Sequence, residues 1–520
     1  MMSERSKTTK AALMVMAATL ISKILGFLRE ILLGSTYGAT YVTDAYLIAM
    51  IIPTILFFSF VTAIATTYIP VYTKVRLEKG NDQGIRFTSK ILSIVVVTSI
   101  ILTITGWIFA KPIVSVIGMG FDTRTFDLAV ELTKIILPAV IFIGITYIFM
   151  GFLQSNEEFF IPALINVPNN IIVITVLSFS GFFGIYGLAF ATLLGYLFQS
   201  LIQYPFVRKK GYRYTLLLDF KDSYVKEVWS LALPVLIGMS VQQLNTLIDR
   251  MLASGLVEGS ISALNFANKL NGFVYGIFSV SISTVIYPLL SKLNAENNKE
   301  MLKKTIVSSI NVITLLMVPI TVGAVILRIP IVSILFERGN FDSNATMLTS
   351  SALLFYSLGM VFFGYRDVLS RVFYSLQDTK TPMVNGGIAL LANIVLNLIL
   401  VRYMQHAGLA LATSIASAVT TILLFWNLRR KMGNIGGTSI AKVVAKSGIA
   451  ALLMGVTIYY FNMYLSNVMN NIIPIMYALR LFLTIGIGTV IYCIIIYIFK
   501  IEEINWIAEL IKNRLLYKQI

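Results

Sequence analysis

Charge interrupts the apolar runs of this chain at a few places, and those places hold its candidate chemistry. The stretch SKILGFLRE, residues 22–30, sets Lys23, Arg29 and Glu30 inside an apolar run that begins near Ala11. At the helical turn angle, Ser22, Gly26 and Arg29 fall within about 60° of arc. Lys23 and Glu30 share a neighbouring face. A charge at mid-bilayer costs at least about 2.5–3.5 kcal/mol on insertion scales. Lys23 and Arg29 are therefore read as facing a polar cavity, while Glu30 faces the same cavity or compensates their charge. Asp44, in TDAY at the start of the second run, reads equally as a helix cap or a cavity residue. In the eighth run Asn265, Asn268, Lys269, Gly272, Gly276, Ser279 and Ser283 follow helical spacing on one face. Lys269 with its two asparagines suits a water-facing surface, whereas the Gly/Ser half fits either that surface or a helix-packing seam. Gln242, Thr246 and Asp249 share a face of the seventh run, with Arg250 beside them at the interface. Arg366, Asp367 and Arg371 near the tenth form either a local ion network or a substrate contact. Cationic groups in a central cavity suit an anionic substrate such as a phosphate or pyrophosphate headgroup.

Enzyme chemistry finds little support. His406 is the only histidine and Cys493 the only cysteine, so thiol-metal, disulfide and histidine-base chemistry are not indicated, and His406 reads as an ordinary loop residue. Glu157 and Glu158 read as a solvated turn. No P-loop, GxGxxG, HExxH or nucleophile elbow is present. The chain is read as a non-enzyme that moves something without an ATPase of its own, and it needs no cofactor unless a coupling ion is used.

The elements that must position these residues are membrane helices. Of 520 residues, 57% are hydrophobic and 12% charged, against about 25% charged in a soluble domain. Mean hydropathy is +0.83. Apolar runs of about 20 residues recur from end to end, which predicts an all-α polytopic membrane protein of about fourteen spans. The first covers 11–35, two late ones cover 383–403 and 407–428, and the last covers 476–499. The net charge of +17 is read as topology and not as nucleic-acid binding, because its Lys and Arg gather in alternate loops. Arg208–Lys210 and Arg429–Lys431 are two such clusters, whereas loops near 36–43, 181–184, 253–261 and 464–475 hold none. Both termini are therefore expected in the cytoplasm. The tail from Ile501 to Ile520 is expected to be an amphipathic helix on the inner membrane surface.

The halves repeat each other. AIATTYIPVYTK at 63–74 matches SISTVIYPLLSK at 281–292, and GLAFAT at 187–192 matches GLALAT at 408–413. The basic clusters at 208–210 and 429–431 match, as do the loops NEEFFIP and QDTKTP that close on Pro162 and Pro382. Four matches in order, about 220 residues apart, span an even number of helices and indicate a parallel repeat. The expected domains are an N-lobe over 1–222, a C-lobe over 223–432, and an added helix pair with the amphipathic tail over 433–520. Such repeats typically surround a central site and work by alternating access.

With these features in place, the sequence resembles the MviN/MurJ family, the lipid II flippases of the MOP transporter superfamily. The matching segments are SKILGFLRE, TDAYLIAMIIP, ATTYIPVYTK, LFERGNFD, FYSLQDTKTP and HAGLALATS. The resemblance covers the whole chain. It implies a MATE/MOP-like fold of two parallel six-helix lobes plus two C-terminal helices that form a groove for the lipid tail. It also implies a bacterial cytoplasmic-membrane transporter that flips the undecaprenyl-pyrophosphate-linked disaccharide pentapeptide by alternating access. Cell-wall synthesis proteins are candidate partners. The family's essential cavity positions fall here on Ser22, Lys23, Arg29, Asp44 and Lys269. The family has arginine at the positions of Lys23 and Lys269, so charge is kept and the bidentate fork is lost. A further family arginine falls on Phe57 and a glutamate on Thr62, with Arg366 a candidate compensation. A family Na⁺ arrangement falls on Asp249, Asn393, Asn397, the Leu409 carbonyl and Thr413, with Asn397 replacing a carboxylate. Rival readings are a flippase for another polyprenyl-linked glycan, a multidrug and cation antiporter, which would favour acidic cavity groups, and a non-transport scaffold of the cell-wall complex.

Overall fold

The computed structural model describes residues 2–469, 474–501 and 503, with side chains left undescribed at 2–13, 56, 241, 242 and 474. The amphipathic helix expected over 501–520 lies almost wholly outside the described residues. Every regular element among the described residues is helical. Among the described residues eleven helices are long and apolar enough to cross a membrane, or twelve if the pair Thr123–Ile136 and Ala139–Ser155, bent by 43°, counts as one span. Pro138 sits at that bend, where a proline cannot supply the helical N–H. The expected fourteen is not reached, and two features account for the difference. Lys380–Met432 is two helices that run on in sequence, 53 residues in all, which would reach about 80 Å at 1.5 Å per residue if straight, against a hydrocarbon core of about 30 Å. The break is at Gln405, with φ 51, between the spans expected at 383–403 and 407–428. Helix Met2–Tyr37, which carries the first expected span, is not among the eleven.

The chain forms two compact units. The first comprises 1–262 with 338–341, and the second 263–337 with 342–520. Helix Ser223–Ala253 thus falls in the first unit. The core of that unit is aromatic. Tyr68 stacks on Phe87 at 5.7 Å between ring centroids, and its hydroxyl meets the Thr88 hydroxyl at 2.6 Å. Tyr212, buried in the same cluster, anchors an extended strap that follows helix Ser180–Lys209. Lys90 ties the strap down through Asp219 at 2.8 Å and Asp222 at 2.7 Å.

In the second unit Ile306, Ile310, Ile313, Val368, Leu369 and Phe373 form the main core. Tyr365 buries its hydroxyl against Thr314 at 2.7 Å. Helices Gly437–Val468 and Pro474–Ile498 pack through Ala450, Ala451, Met454, Leu481 and Ile496. The Tyr492 hydroxyl, 2.7 Å from Ser447, donates to the Leu315 carbonyl at 2.9 Å. Asn311 donates to Glu503 at 2.5 Å. Each such bond satisfies a polar group that burial would otherwise leave at a cost.

The internal repeat is visible in backbone conformation. Glu157 and Gln377, at matching places, both adopt positive φ, 61 and 59. Each ends a helix in the same way. Glu158 N donates to Leu153 O at 2.9 Å and Glu157 N to Gln154 O at 3.1 Å. Asp378 N donates to Phe373 O at 2.9 Å and Gln377 N to Tyr374 O at 3.0 Å. This is a Schellman ending with a left-handed residue at its C′ position. The Glu157–Glu158 turn is on the surface, as expected.

Candidate functional site

The first unit contains a polar cavity of about 270 Å³. Helix Met2–Tyr37 lines it with Ser22, Lys23, Gly26 and Arg29. The helical spacing read from the sequence therefore brings these residues to one wall. Arg29 Nη2 donates to Glu30 Oε1 at 2.7 Å, and the two side chains are 29% and 5% exposed. Glu30 is thus withdrawn from the cavity wall and compensates charge, while Arg29 lines that wall. The rest of the wall is Asn166, Asn169 and Asn170 at the start of helix Val167–Ser178, with Tyr196 and Gln199 from helix Ser180–Lys209. Asn170 donates to the Ser22 carbonyl at 3.3 Å. Sequence reasoning missed these five residues. The available signal was amide side chains, Asn169, Asn170 and Gln199, within apolar runs.

Phe57 ends a π-helical turn, Ile52–Phe57, that opens with Pro53. Its ring is buried and packs on Phe60 at 5.6 Å between centroids. The position therefore serves packing, and Thr62 Oγ1 is buried with no hydrogen-bond partner.

Asp44 is buried, and its carboxylate accepts three bonds from a segment more than 200 residues away. The donors are Gly259 N at 2.8 Å, Ser262 N at 2.8 Å and the Ser262 hydroxyl at 2.5 Å. It makes no cap for its own helix, Tyr41–Ala49, whose N-cap is Thr40. It caps instead the backbone at the start of the Ser260 segment, where free N–H groups favour an anion. Two glycines allow the close approach around it. A Cβ on Gly259, at φ +84, would lie 2.1 Å from the Ala39 carbonyl oxygen, and one on Gly38, at φ +69, 2.3 Å from that of Asn340. Asn340 donates to Ser35 O at 2.9 Å and through its side chain to Thr36 O at 2.6 Å.

In the second unit the polar face of helix Ser260–Ala295 divides. Asn268, Lys269 and Gly272 are exposed, Asn265 is buried, and Ser279 and Ser283 are buried. A Cβ on Gly364 would lie 2.7 Å from Ser279 Oγ, so the serine half is a packing seam. Tyr275 donates to Asp367, which lies 3.7 Å from Arg366. Arg366 and Asp367 thus form a local pair, while Arg371 lies over the Tyr287 ring at 5.4 Å.

The residues expected to hold Na⁺ fall in both units. Asn397 Nδ2 donates to Asn393 Oδ1 at 2.8 Å, Asn393 Nδ2 lies 3.5 Å from Thr413 Oγ1, and Thr413 donates to the Leu409 carbonyl at 3.1 Å. These four belong to the second unit and Asp249 to the first. The second-unit donors are neutral oxygens, a hard set that suits a weakly held cation. No cluster of three or more His, Cys, Asp or Glu exists among the described residues. His406 is not a loop residue. It is buried beside the Gln405 break, with Nε2 at 2.8 Å from Ser351 Oγ and 3.0 Å from Leu348 O.

Known proteins resemble this chain in sequence and fold. The sequence model of the family described as lipid II flippase MurJ matches residues 33–481. A probable lipid II flippase MurJ of Buchnera aphidicola subsp. Acyrthosiphon pisum is 30% identical over 505 residues, 96% of this chain and 98% of the relative. That of Vibrio cholerae is 32% identical over 432 residues, covering 81% and 82%. Among solved structures, a lipid II flippase MurJ in an inward closed conformation superposes with a TM-score of 0.80 at 28% identity, over 95% of this chain and all 100% of that one. An inward-facing multidrug resistance MATE family transporter of the MOP superfamily gives a TM-score of 0.67 at 14% identity, over 82% of this chain and 99% of its own, which is a likeness of fold.

Proposed function

The chain belongs to the lipid II flippase MurJ family, and from that premise we propose how its residues move a lipid-linked peptidoglycan precursor across the bacterial cytoplasmic membrane. The observation that carries the reading is the cavity that holds Lys23 and Arg29 on one helix beside Ser22. A pyrophosphate needs cations and N–H donors, and Arg29 supplies both, with Glu30 setting the direction of one guanidinium nitrogen. Lys23 contributes a point charge and Ser22 a hydroxyl. Lys269, with Asn268 and Asn265, offers the same chemistry from the second unit. Asp44 acts on conformation through the backbone it caps. Loss of that cap in one state of an alternating-access cycle would change the balance between states. Moving one charge through 100 mV is worth about 2.3 kcal/mol, so membrane potential can reset such a carrier. A Na⁺ ion held by Asn393, Asn397, Thr413 and the Leu409 carbonyl, all in the second unit, is the coupling ion of this proposal. Flipping in Na⁺-free buffer that matches flipping in Na⁺ would remove it. Both termini are assigned to the cytoplasm, and cell-wall synthesis proteins are the proposed partners.

The test replaces the chromosomal flippase of a bacterium with this chain and measures lipid II on the outer leaflet. Wild type is expected to rescue, and Arg29→Ala to fail at equal membrane expression. Good expression without wild-type rescue would transfer the assignment to another polyprenyl-linked glycan. Rescue by both would keep the substrate and remove Arg29 from the mechanism.

A further inference from the structure

One wall of the first-unit cavity is built from neutral amides. Asn169, Asn170 and Gln199, each 4% exposed, line it beside the half-buried Tyr196. Asn170 donates its Nδ2 to the Ser22 carbonyl at 3.3 Å, and Gln199 donates its Nε2 to Asn166 Oδ1 at 3.4 Å. Each keeps its amide oxygen for another partner. Asn169 makes no side-chain hydrogen bond with any described residue. It is held against Gly195, where a Cβ would lie 2.6 Å from Asn169 Nδ2 and 3.0 Å from Asn169 Cα. A glycine there lets a buried amide sit on the cavity wall.

Burying an amide without a protein partner carries a desolvation cost. Packing alone would be served as well by an apolar side chain. An amide offers two donors and an acceptor and carries no charge. It adds little to holding a pyrophosphate, which the adjoining cations already suit. It does match the hydroxyl and acetamido groups of a sugar, and the Tyr196 ring offers an amphipathic face for a pyranose. The cavity, about 270 Å³, lies below the roughly 300–1,000 Å³ of whole small-ligand sites, so it suits one sugar unit and not the entire headgroup.

We propose that Asn169, Asn170 and Gln199 form a neutral-sugar subsite next to Lys23 and Arg29, which reads the acetamido sugar joined to the pyrophosphate. This rests on the flippase reading above and adds a selectivity that cations cannot supply. The experiment uses the purified full-length protein in lipid nanodiscs. It measures affinity for lipid II and for undecaprenyl pyrophosphate, which lacks the sugar. Asn169→Ala and Gln199→Ala are each expected to weaken lipid II by about tenfold and leave undecaprenyl pyrophosphate within about twofold. Arg29→Ala should weaken both. The ligand-free Tm of Asn169→Ala should equal or exceed that of wild type, because the lost amide had no partner among the described residues. If Asn169→Ala does not fold, Asn169→Leu keeps roughly the volume, removes the amide without adding a charge and should show the same probe-selective loss. Equal loss for both probes, or an unchanged lipid II affinity, would overturn the subsite. Wild type that prefers neither probe to phosphatidylglycerol would overturn it too, and in that case the flippase reading falls with it.

Discussion

Arg29 and Asp44 show two ways in which a membrane protein keeps a charge. Arg29 is stabilised by an adjacent carboxylate and still lines a cavity. Asp44 is consumed by the three bonds it accepts. Substitution should separate them. Asp44→Asn retains the shape and loses one carboxylate oxygen, leaving a backbone N–H or the Ser262 hydroxyl without its charged acceptor. It should lower stability by about 1–3 kcal/mol, read as a fall in Tm of the purified protein. Arg29→Lys, in contrast, should leave Tm nearly unchanged and still impair lipid II transport, since an ammonium cannot reproduce the guanidinium fork. A large loss of Tm in Arg29→Lys would mean that the arginine is chiefly structural.

The helix endings carry the repeat too. Glu157 and Gln377 sit in left-handed conformation within the same hydrogen-bond pattern, a conformation that costs a non-glycine residue about 1–2 kcal/mol. Glu157→Gly and Gln377→Gly should therefore each stabilise the protein, by up to about 1 kcal/mol after the extra entropy of glycine in the unfolded chain is subtracted. Thermal unfolding of the two single variants checks this, and a fall in Tm for both would show that the side chains contribute more than the backbone loses. Gly259→Ala tests the opposite case. Its Cβ would meet the Ala39 carbonyl at 2.1 Å, so the Asp44 segment must shift and Tm should fall by more than in Asp44→Asn.

For the molecule as a whole, the polar links outside the membrane set the dependence on pH. The hydrogen bond from Lys431 holds the Asp378 carboxyl down at about 2, and Lys90 holds Asp219 below its usual range. An unfolded aspartate titrates near 3.9. A depressed folded value contributes stability above that pH and loses it as pH falls through about 2. Asp378→Asn should thus be less stable than wild type at pH 7, and the Tm gap should close between about pH 4 and pH 2. A constant gap would show that Asp378 acts through its bonds to Thr381 at 3.0 and 2.9 Å and not through its charge. The effect is small because Lys431 is well exposed. Ligand acts on the same scale. Lipid II that binds only the folded chain should raise Tm with concentration, and Arg29→Ala should abolish the rise.

Much of this was legible before folding, because a bilayer constrains sequence severely. Apolar runs of span length identify the helices, and charges inside such a run must find water or partners. SKILGFLRE therefore pointed to the cavity that Ser22, Lys23 and Arg29 line. Duplication was legible because corresponding helices keep segments such as GLAFAT and GLALAT in the same order. Other features depend on which faces meet, and helical periodicity does not encode a partner. Nothing local says that Asp44 will accept from Gly259 and Ser262, or that Gly195 will leave room for Asn169. The serine stripe could have faced water until Gly364 placed it in a seam. His406 read as a loop residue because it directly follows the break at Gln405, and the sequence does not show that its ring is buried against Ser351 and Leu348. The sequence by itself determined the helical membrane class, the repeat and the cationic wall, since each follows from the cost of burying polar groups in hydrocarbon. Only tertiary structure decided the amide wall, the distant cap and the packing role of Phe57, because those rest on close approach between segments far apart in the chain.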